Sequence, residues 1–353
     1  MSTDSPDIAL ETLLLPVVDG PLSWPRESGI GGEDGVLFLR ARDGWPLHQR
    51  AFPGLACEQS FKPEADRLAH SGLPLVDERA ATLHPLVLVL PPRQRDEARA
   101  LYARAITRTA PGGRVLACLR NDEGAKSGEA DLAKLAGPLG HLSKNKCRAF
   151  WTQPLQGAED ESLLVEWLQL DAPRPIADGR FISRPGVFAW DRIDAASALL
   201  ASQLPGNLHG AAADLGAGYG YLSSELLSRC PGIGSLDLYE AERRALDLAR
   251  VNLAPDADRV VLDFHWHDVT SGLHQRYDVI VSNPPFHAQG RADRPDIGRR
   301  FISAAAQALK PGGCLWMVAN RHLPYEVELA KQFASVRTVA QDRGFKVVEA
   351  IRG

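Results

Sequence analysis

An apolar run, two prolines, a helical stretch, a Pro-Gly-Gly turn and a second apolar run occur twice in this chain, in the same order. In the first half, Pro85-Leu-Val-Leu-Val-Leu90 stops at Pro91-Pro92, a helical segment covers Asp96 to Thr109, Ala110-Pro-Gly-Gly113 turns the chain, and Arg114 to Leu119 is the next strand. In the second half, Val279 to Ser282 stops at Asn283-Pro284-Pro285, a helix covers Arg299 to Leu309, Lys310-Pro-Gly-Gly313 turns the chain, and Cys314 to Ala319 follows. An apolar, β-branched run closed by prolines reads as a strand buried on both faces, as parallel sheets require, because proline cannot donate to a ladder. The offset between the copies is 193 at the prolines (Pro91 to Pro284) and 200 at the glycines (Gly112 to Gly312), a difference of seven that a longer loop after Phe286 absorbs. An internal duplication is the natural explanation of this order, two unrelated α/β domains that share common turn chemistry being the alternative. A length of 353 residues also suits two domains. The expected fold is α/β: two tandem Rossmann-like domains, 1–180 and 181–353, each an open, mostly parallel sheet with helices on both faces, the first one degenerate.

The copies differ at their chemical positions. Where the second has Asn283 and Phe286, the first has Leu90 and Arg93, and no glycine-rich turn precedes it. The first half opens instead with the strand-like runs Leu13 to Val18 and Gly35 to Arg40. It reads as a recognition or support domain, with Arg93, Arg95, Lys126, Lys144, Lys146 and Arg148 as its basic candidates.

In the second half, Ile193, Ala196, Leu199, Leu200 and Leu204 recur at helical spacing over Asp194 to Gln203. The strand Ala211 to Leu215 then enters Gly216-Ala-Gly218-Tyr-Gly220 and a helix to Arg229. Glycines allow a sharp turn and close approach to a ligand, and the following helix N-terminus favours an anionic group. A second strand ends at Glu240, twenty residues after Gly220, where a carboxylate can hold two ribose hydroxyls. The dinucleotide fingerprint needs a third glycine where Tyr221 stands, so a ligand with a ribose but no pyrophosphate fits better. S-adenosylmethionine is such a ligand. Asp214 could meet its ammonium, and Asp268, after the strand Val260 to His265, could accept from its adenine amine. All of these groups, with Asn283, fall at the carboxyl ends of successive strands, where open α/β sheets bind ligands.

Ser282-Asn283-Pro284-Pro285-Phe286 suits a planar amine. The Asn283 side-chain oxygen and the carbonyl of Pro284, held by the rigid Pro284-Pro285 pair, can accept both hydrogens of an exocyclic NH2, while Phe286 offers a stacking face. The next loop carries Arg291, Arg294, Arg299 and Arg300, four charges able to clamp RNA phosphates.

The segment Arg184 to Gly353 resembles the class I S-adenosylmethionine-dependent methyltransferases, and within them the bacterial ribosomal RNA guanine-N2 methyltransferases, the group of small-subunit methyltransferase C and large-subunit methyltransferase G. The resemblance rests on Pro185-Gly-Val-Phe188, Asp214-Leu-Gly-Ala-Gly218, Ser282-Asn-Pro-Pro-Phe-His287, Ala319-Asn320 with Leu323-Pro-Tyr325, and Gly344-Phe-Lys-Val347. It implies an N-terminal methyltransferase-like domain without cofactor binding, and methylation of N2 of a guanosine in ribosomal RNA, the small-subunit 16S RNA being favoured over the 23S. Glu240 departs from the Asp that many relatives carry, but keeps the carboxylate. A protein glutamine amide or a DNA base amine would also fit an Asn-Pro-Pro site, although those relatives usually place Tyr at the position of Phe286. A non-catalytic RNA-binding scaffold is a third reading, opposed by the intact Gly216, Gly218, Gly220, Glu240 and Asn283.

A formal net charge of −4 supplies no global attraction to a polyanion, so RNA would be held by local patches and shape. The polar, acidic N-terminus lacks the basic-then-apolar order of a signal peptide, and no apolar run approaches transmembrane length, so a cytoplasmic, monomeric protein acting on ribosomal RNA or a ribosomal subunit is expected, with no membrane partner. Cys57, Cys118, Cys147, Cys230 and Cys314 form no C-x-x-C pair and read as buried small hydrophobes. No metal is expected; Asp263, His265 and His267 share a strand face and read as solvated polar residues.

Overall fold

A computed structural model describes residues 7–25, 35–78, 80–285 and 295–353. Two compact units divide the chain, Met1–Ala172 and Pro173–Gly353. The expected boundary after residue 180 falls inside the second unit, within a short antiparallel hairpin described below.

The first unit runs α1 (Ile8–Val18), β1 (Val36–Leu39), β2 (Leu55–Glu58), α2 (Lys62–His70), β3 (His84–Val89), α3 (Arg95–Thr107), β4 (Thr109–Arg120), α4 (Ala125–Ala136), β5 (Leu139–Lys144), β6 (Cys147–Thr152) and α5 (Glu161–Leu168). Its sheet has the order β2-β1-β3-β4-β6-β5. The first four strands are parallel, and β6 is antiparallel to both β4 and β5. One face packs against α1 and α2 through Leu10, Leu13, Leu14 and Leu68, the other against α3, α4 and α5.

Leu13 to Val18, expected as a strand, is the second half of α1. Asp7 caps this helix, its Oδ1 accepting the N–H groups of Ala9 and Leu10 at 3.1 Å each. Leu10, Leu13, Leu14 and Val17, at i, i+3, i+4 and i+7, form its buried stripe. Helical period and cap outweigh the local Leu-Leu-Leu run.

The second unit runs β7 (Arg174–Ile176), β8 (Phe181–Ser183), α6 (Ala195–Gln203), β9 (His209–Leu215), α7 (Tyr221–Arg229), β10 (Gly232–Glu240), α8 (Arg243–Asn252), β11 (Val261–Trp266), β12 (Tyr277–Ser282), α9 (Pro295–Ala308), β13 (Leu309–Asn320), α10 (Glu326–Gln332), β14 (Ser335–Asp342) and β15 (Phe345–Ile351). β7 and β8 form the hairpin. The main sheet has the order β11-β10-β9-β12-β13-β15-β14, parallel except for β15, which is antiparallel to both its neighbours. Helices α6, α7 and α8 cover one face, α9 and α10 the other.

Strand for strand the first sheet repeats the second without β11. At that edge a single bridge, Cys57 to Leu75, stands where β11 would pair. The Pro-Gly-Gly turns also repeat in detail: Gly112 and Gly312 both have φ +79. The Gly112 N–H donates to the Leu155 carbonyl at 2.6 Å, and the Gly312 N–H to the Arg352 carbonyl at 2.9 Å. These turns are continuous with the long strands β4 and β13, so both strands begin earlier than the sequence pattern indicates. The five cysteines are all buried.

Candidate functional site

Strand β9 is the pivot of the second sheet: β10 pairs on one side of it and β12 on the other. Crevices in open α/β sheets form at such a switch point, beyond the carboxyl ends of the strands. Leu215, the last residue of β9, lies opposite both Tyr239 and Ser282, which aligns the ends of β10 and β12 with the glycine turn. The N–H groups of Gly216 and Ala217 donate to the Tyr239 carbonyl (2.8 and 3.1 Å), and Ser282 Oγ donates to the Leu215 carbonyl at 2.7 Å. Gly216, Gly218 and Gly220 have φ of +76, +56 and +90, a left-handed path that only glycine follows without strain. A Cβ on Gly216 would lie 3.9 Å from the Asn283 carbonyl oxygen, and one on Gly218 would meet nothing within 4 Å among the described residues. The left-handed turn at Gly216 and the open space at Gly218 make a cradle.

Asp214 is fully buried. Its Oδ2 accepts from Ser223 Oγ at 2.8 Å, while Oδ1 has no hydrogen-bond partner among the described residues. Burial pushes its carboxyl up to about 7, the Ser223 hydrogen bond works the other way, and the charge of Glu240 adds to the rise. A buried carboxylate with an orphan oxygen calls for a cation. Glu240 is half-buried and accepts the N–H of Gly218 at 2.8 Å and of Glu242 at 2.7 Å. Burial raises its pKa, against those two hydrogen bonds. Asp268 caps the short turn Val269–Ser271, Oδ1 accepting from Thr270 N (2.9 Å) and Oγ1 (2.7 Å). These groups fit S-adenosylmethionine: an unsatisfied anion to accept from its ammonium, a carboxylate at the second strand end to accept from its ribose hydroxyls, and a glycine cradle beside them.

Asn283 follows β12. Its Nδ2 donates to Asp194 Oδ2 at 3.1 Å and to Ser197 Oγ at 2.8 Å, and its Oδ1 is buried without a hydrogen-bond partner among the described residues. Pro284 is buried and Pro285 exposed. Sequence reasoning missed Asp194 and Ser197, although Asp194 at the head of a helical pattern was readable as a cap. Phe286, Arg291 and Arg294 lie outside the described residues. Arg299 and Arg300 are exposed, and they stand in α9 rather than in a loop, since the helix begins at Pro295, a residue whose fixed φ suits a first helical position.

The motifs around residues 320 and 345 meet and brace each other. Buried Lys346 donates to the Leu323 carbonyl at 2.9 Å and pairs with Glu326, and the Arg321 N–H donates to the Gly344 carbonyl at 2.7 Å. His265, expected to be solvated, stacks on Tyr239 with ring centroids 4.5 Å apart, beside a buried chain in which Tyr239 and Tyr277 share a hydrogen bond of 2.6 Å and Tyr277 donates to Asp237. No group of three or more His, Cys, Asp or Glu among the described residues is arranged to hold a metal.

The first unit carries other residues at the matching positions. Leu39 faces Val89 and Glu58 as Leu215 faces Ser282 and Tyr239. That register sets Phe38 on Asp214, Arg40 on Gly216, Gln59 on Glu240 and Leu90 on Asn283; counting onward brings Arg42 and Gly44 to Gly218 and Gly220, but there the paths part, since Gly44 is extended at φ 176 where Gly220 has φ +90. Gln59 Oε1 still accepts the N–H two residues on, at 2.9 Å, as Glu240 does, but as a neutral amide. Arg40 pairs with Glu97 and Arg42 with Asp7. In the place of α7 there is only a three-residue turn, Trp45–Leu47. Among the basic candidates, Arg95 is tied to Asp131 and Arg148 to Glu129 within the unit.

Comparison with known proteins gives four matches. A protein-family model, Methyltransferase small domain, matches residues 178–349. Ribosomal RNA small subunit methyltransferase C of Shewanella pealeana is 30% identical over 269 residues, covering 75% of this chain and 77% of that protein. The protein of the same name from Pseudomonas aeruginosa is 30% identical over 328 residues, covering 92% of this chain and 93% of its own length. Among solved structures, a T. thermophilus 16S rRNA N2 G1207 methyltransferase, in complex with AdoMet and guanosine, superimposes with a TM-score of 0.78 at 24% identity, covering 99% of this chain and 93% of that one. The last match bears on the fold.

Proposed function

The chain belongs to the ribosomal RNA small subunit methyltransferase C family, and on that premise we propose that it methylates the exocyclic N2 of a guanosine in 16S rRNA, using S-adenosylmethionine. The observation that carries the chemistry is the Asn283 amide. Its nitrogen is committed to Asp194 and Ser197, which leaves Oδ1 as an acceptor at the carboxyl end of β12, beside the glycine cradle.

S-adenosylmethionine, when bound, supplies a methyl group on an electrophilic sulfonium. Asp214 would hold it by the ammonium, Glu240 by the ribose and Asp268 by the adenine amine. An aryl amine is a poor nucleophile because its lone pair is delocalised into the ring. By accepting the two amine hydrogens, Asn283 Oδ1 and the Pro284 carbonyl turn the lone pair out of conjugation and favour the more positive nitrogen of the transition state. Orienting the amine with these two acceptors would supply further acceleration, at the limit about 7 to 11 kcal/mol for well-oriented groups. Phe286 is the stacking face for the unpaired or flipped base in this reading. Arg299 and Arg300, with Arg291 and Arg294, serve the flanking phosphates. The first unit serves substrate recognition or support, the chain acts as a monomer, and a ribosomal substrate sets its place of work in the cytoplasm. No helix among the described residues is long and apolar enough to cross a membrane.

The test is methyl transfer from labelled S-adenosylmethionine to unmodified small and large ribosomal subunits and to their free RNAs, with nucleoside digestion. N2-methylguanosine in 16S rRNA is expected, falling on the order of 100-fold with Asn283→Ala, as for loss of one preorganised transition-state contact. Label confined to 23S rRNA, or none in any RNA despite cofactor binding, overturns the reading.

A further inference from the structure

We propose that Asp194 and Ser197 are positioning residues for the methyl transfer, fixing the Asn283 amide with its oxygen, not its nitrogen, toward the incoming amine. The inference rests on the reading of Asn283 as the amine acceptor. A carboxamide has two ends of nearly equal size. Turned over, it would present NH2 to NH2, and the acceptor would be lost.

Asp194 Oδ2 and Ser197 Oγ take the two Nδ2 hydrogens at 3.1 and 2.8 Å. A carboxylate only accepts, so a flipped amide would set Oδ1 against Asp194. Asp194 is itself fixed: the same oxygen accepts the Ser197 N–H at 2.9 Å as the cap of α6. Ser197 is 7% exposed, which shields its hydroxyl from competing water.

The first unit separates this role from helix capping. Its α1 packs on β4 and β6 as α6 packs on β13 and β15. It too is capped by an aspartate, Asp7. Three residues on, where the second unit has Ser197, stands Leu10, and where the second has Asn283 stands Leu90. Asp7 pairs with Arg42 instead. Capping therefore accounts for the aspartate in both units. The hydroxyl and the amide occur together, only in the unit with an intact cradle.

Two experiments test the assignment on the full chain, with subunit methylation and calorimetric binding of S-adenosylmethionine measured for each variant. Ser197→Ala leaves the α6 backbone cap intact. It is expected to lower kcat about three- to tenfold, the scale of one lost hydrogen bond, with cofactor affinity and melting temperature unchanged, and Ser197→Thr is expected to restore the rate. The second exchanges the partners. Asn283→Asp sets two carboxylates face to face and is expected to lose most activity. Adding Asp194→Asn removes that like-charge pair. Because one oxygen of Asp194 takes both the Ser197 N–H and the Asn283 amide hydrogen, the new amide has to divide its ends, oxygen to the Ser197 N–H as a helix cap and NH2 to the new carboxylate, and the double variant is expected to regain about threefold or more of the loss, the scale of one hydrogen bond. A purely structural aspartate would show no such rescue. Full activity in Ser197→Ala, or a double variant no better than Asn283→Asp, overturns the positioning role while the wild type still methylates RNA. Absence of transfer by the wild type overturns the reading of Asn283 and this inference with it.

Discussion

Asp214 carries the sharpest pH signature in the chain. Its pKa of about 7, raised by burial, means that between about pH 4 and pH 7 the folded chain keeps a proton that the unfolded chain has released. The stability from this group is therefore fully present below about pH 4 and is lost as pH rises through 7, by at most on the order of 4 kcal/mol. Urea midpoints of the cofactor-free protein are expected to fall between pH 5 and pH 8, and Asp214→Asn to flatten that fall; superimposable profiles would remove Asp214 as the source. An ammonium placed beside Asp214 favours the carboxylate. Binding of S-adenosylmethionine near neutral pH should then release a proton, which calorimetry in two buffers of different ionisation enthalpy would detect. The placement of Asp214, Glu240 and Asn283 at or beside strand ends was legible in the sequence because the apolar pattern of those strands is plain. Asp194 and Ser197 were not: Asp194 reads as an ordinary helix cap, and its partner Asn283 is 89 residues away. A bond of that range is set by topology, which local pattern does not record.

Among the elements, α9 follows the Asn283-Pro284-Pro285 stretch in the chain and is held at its start by a tight crossing. A Cβ on Gly298 would run into the hydroxyl and ring of the buried Tyr325. Gly298→Ala is expected to destabilise the protein by about 1–3 kcal/mol through overpacking, read as a lower urea midpoint, with Tyr325→Phe recovering part of the loss. An undiminished midpoint would mean that α9 can shift freely. The paired turns allow a controlled comparison: Gly112 and Gly312 share φ +79 and open space around their Cβ positions. Gly112→Ala and Gly312→Ala should therefore cost similar amounts, about 1 kcal/mol each, through backbone strain alone. Strands closed by prolines and the helices between them were readable because their punctuation is strong. The helix over Ile8–Val18 was not, because Leu13, Leu14 and Leu15 look strand-like until Asp7 and Leu10 are counted with them.

At the scale of the whole molecule, each unit has its own cores on both faces of its own sheet. Residues 173–353 alone are expected to bind S-adenosylmethionine with an affinity within about tenfold of the full chain, and residues 1–172 to show no binding by calorimetry, because arginines replace two glycines of the turn and Phe38 replaces the buried acid. Binding by the first unit would refute that account of its residues. The duplication itself was readable from the prolines and glycines, but the missing strand was not, since residues 73–76 carry no pattern that distinguishes a lone bridge from a full edge strand. Arg40 sets the two matching turns apart. It holds φ 53, a conformation that a side chain rarely takes and that its counterpart Gly216 takes freely. Glycine follows such a path freely and arginine only under strain, so Arg40→Gly is the substitution at this turn expected to relieve the backbone, whereas Gly216→Arg would strain it.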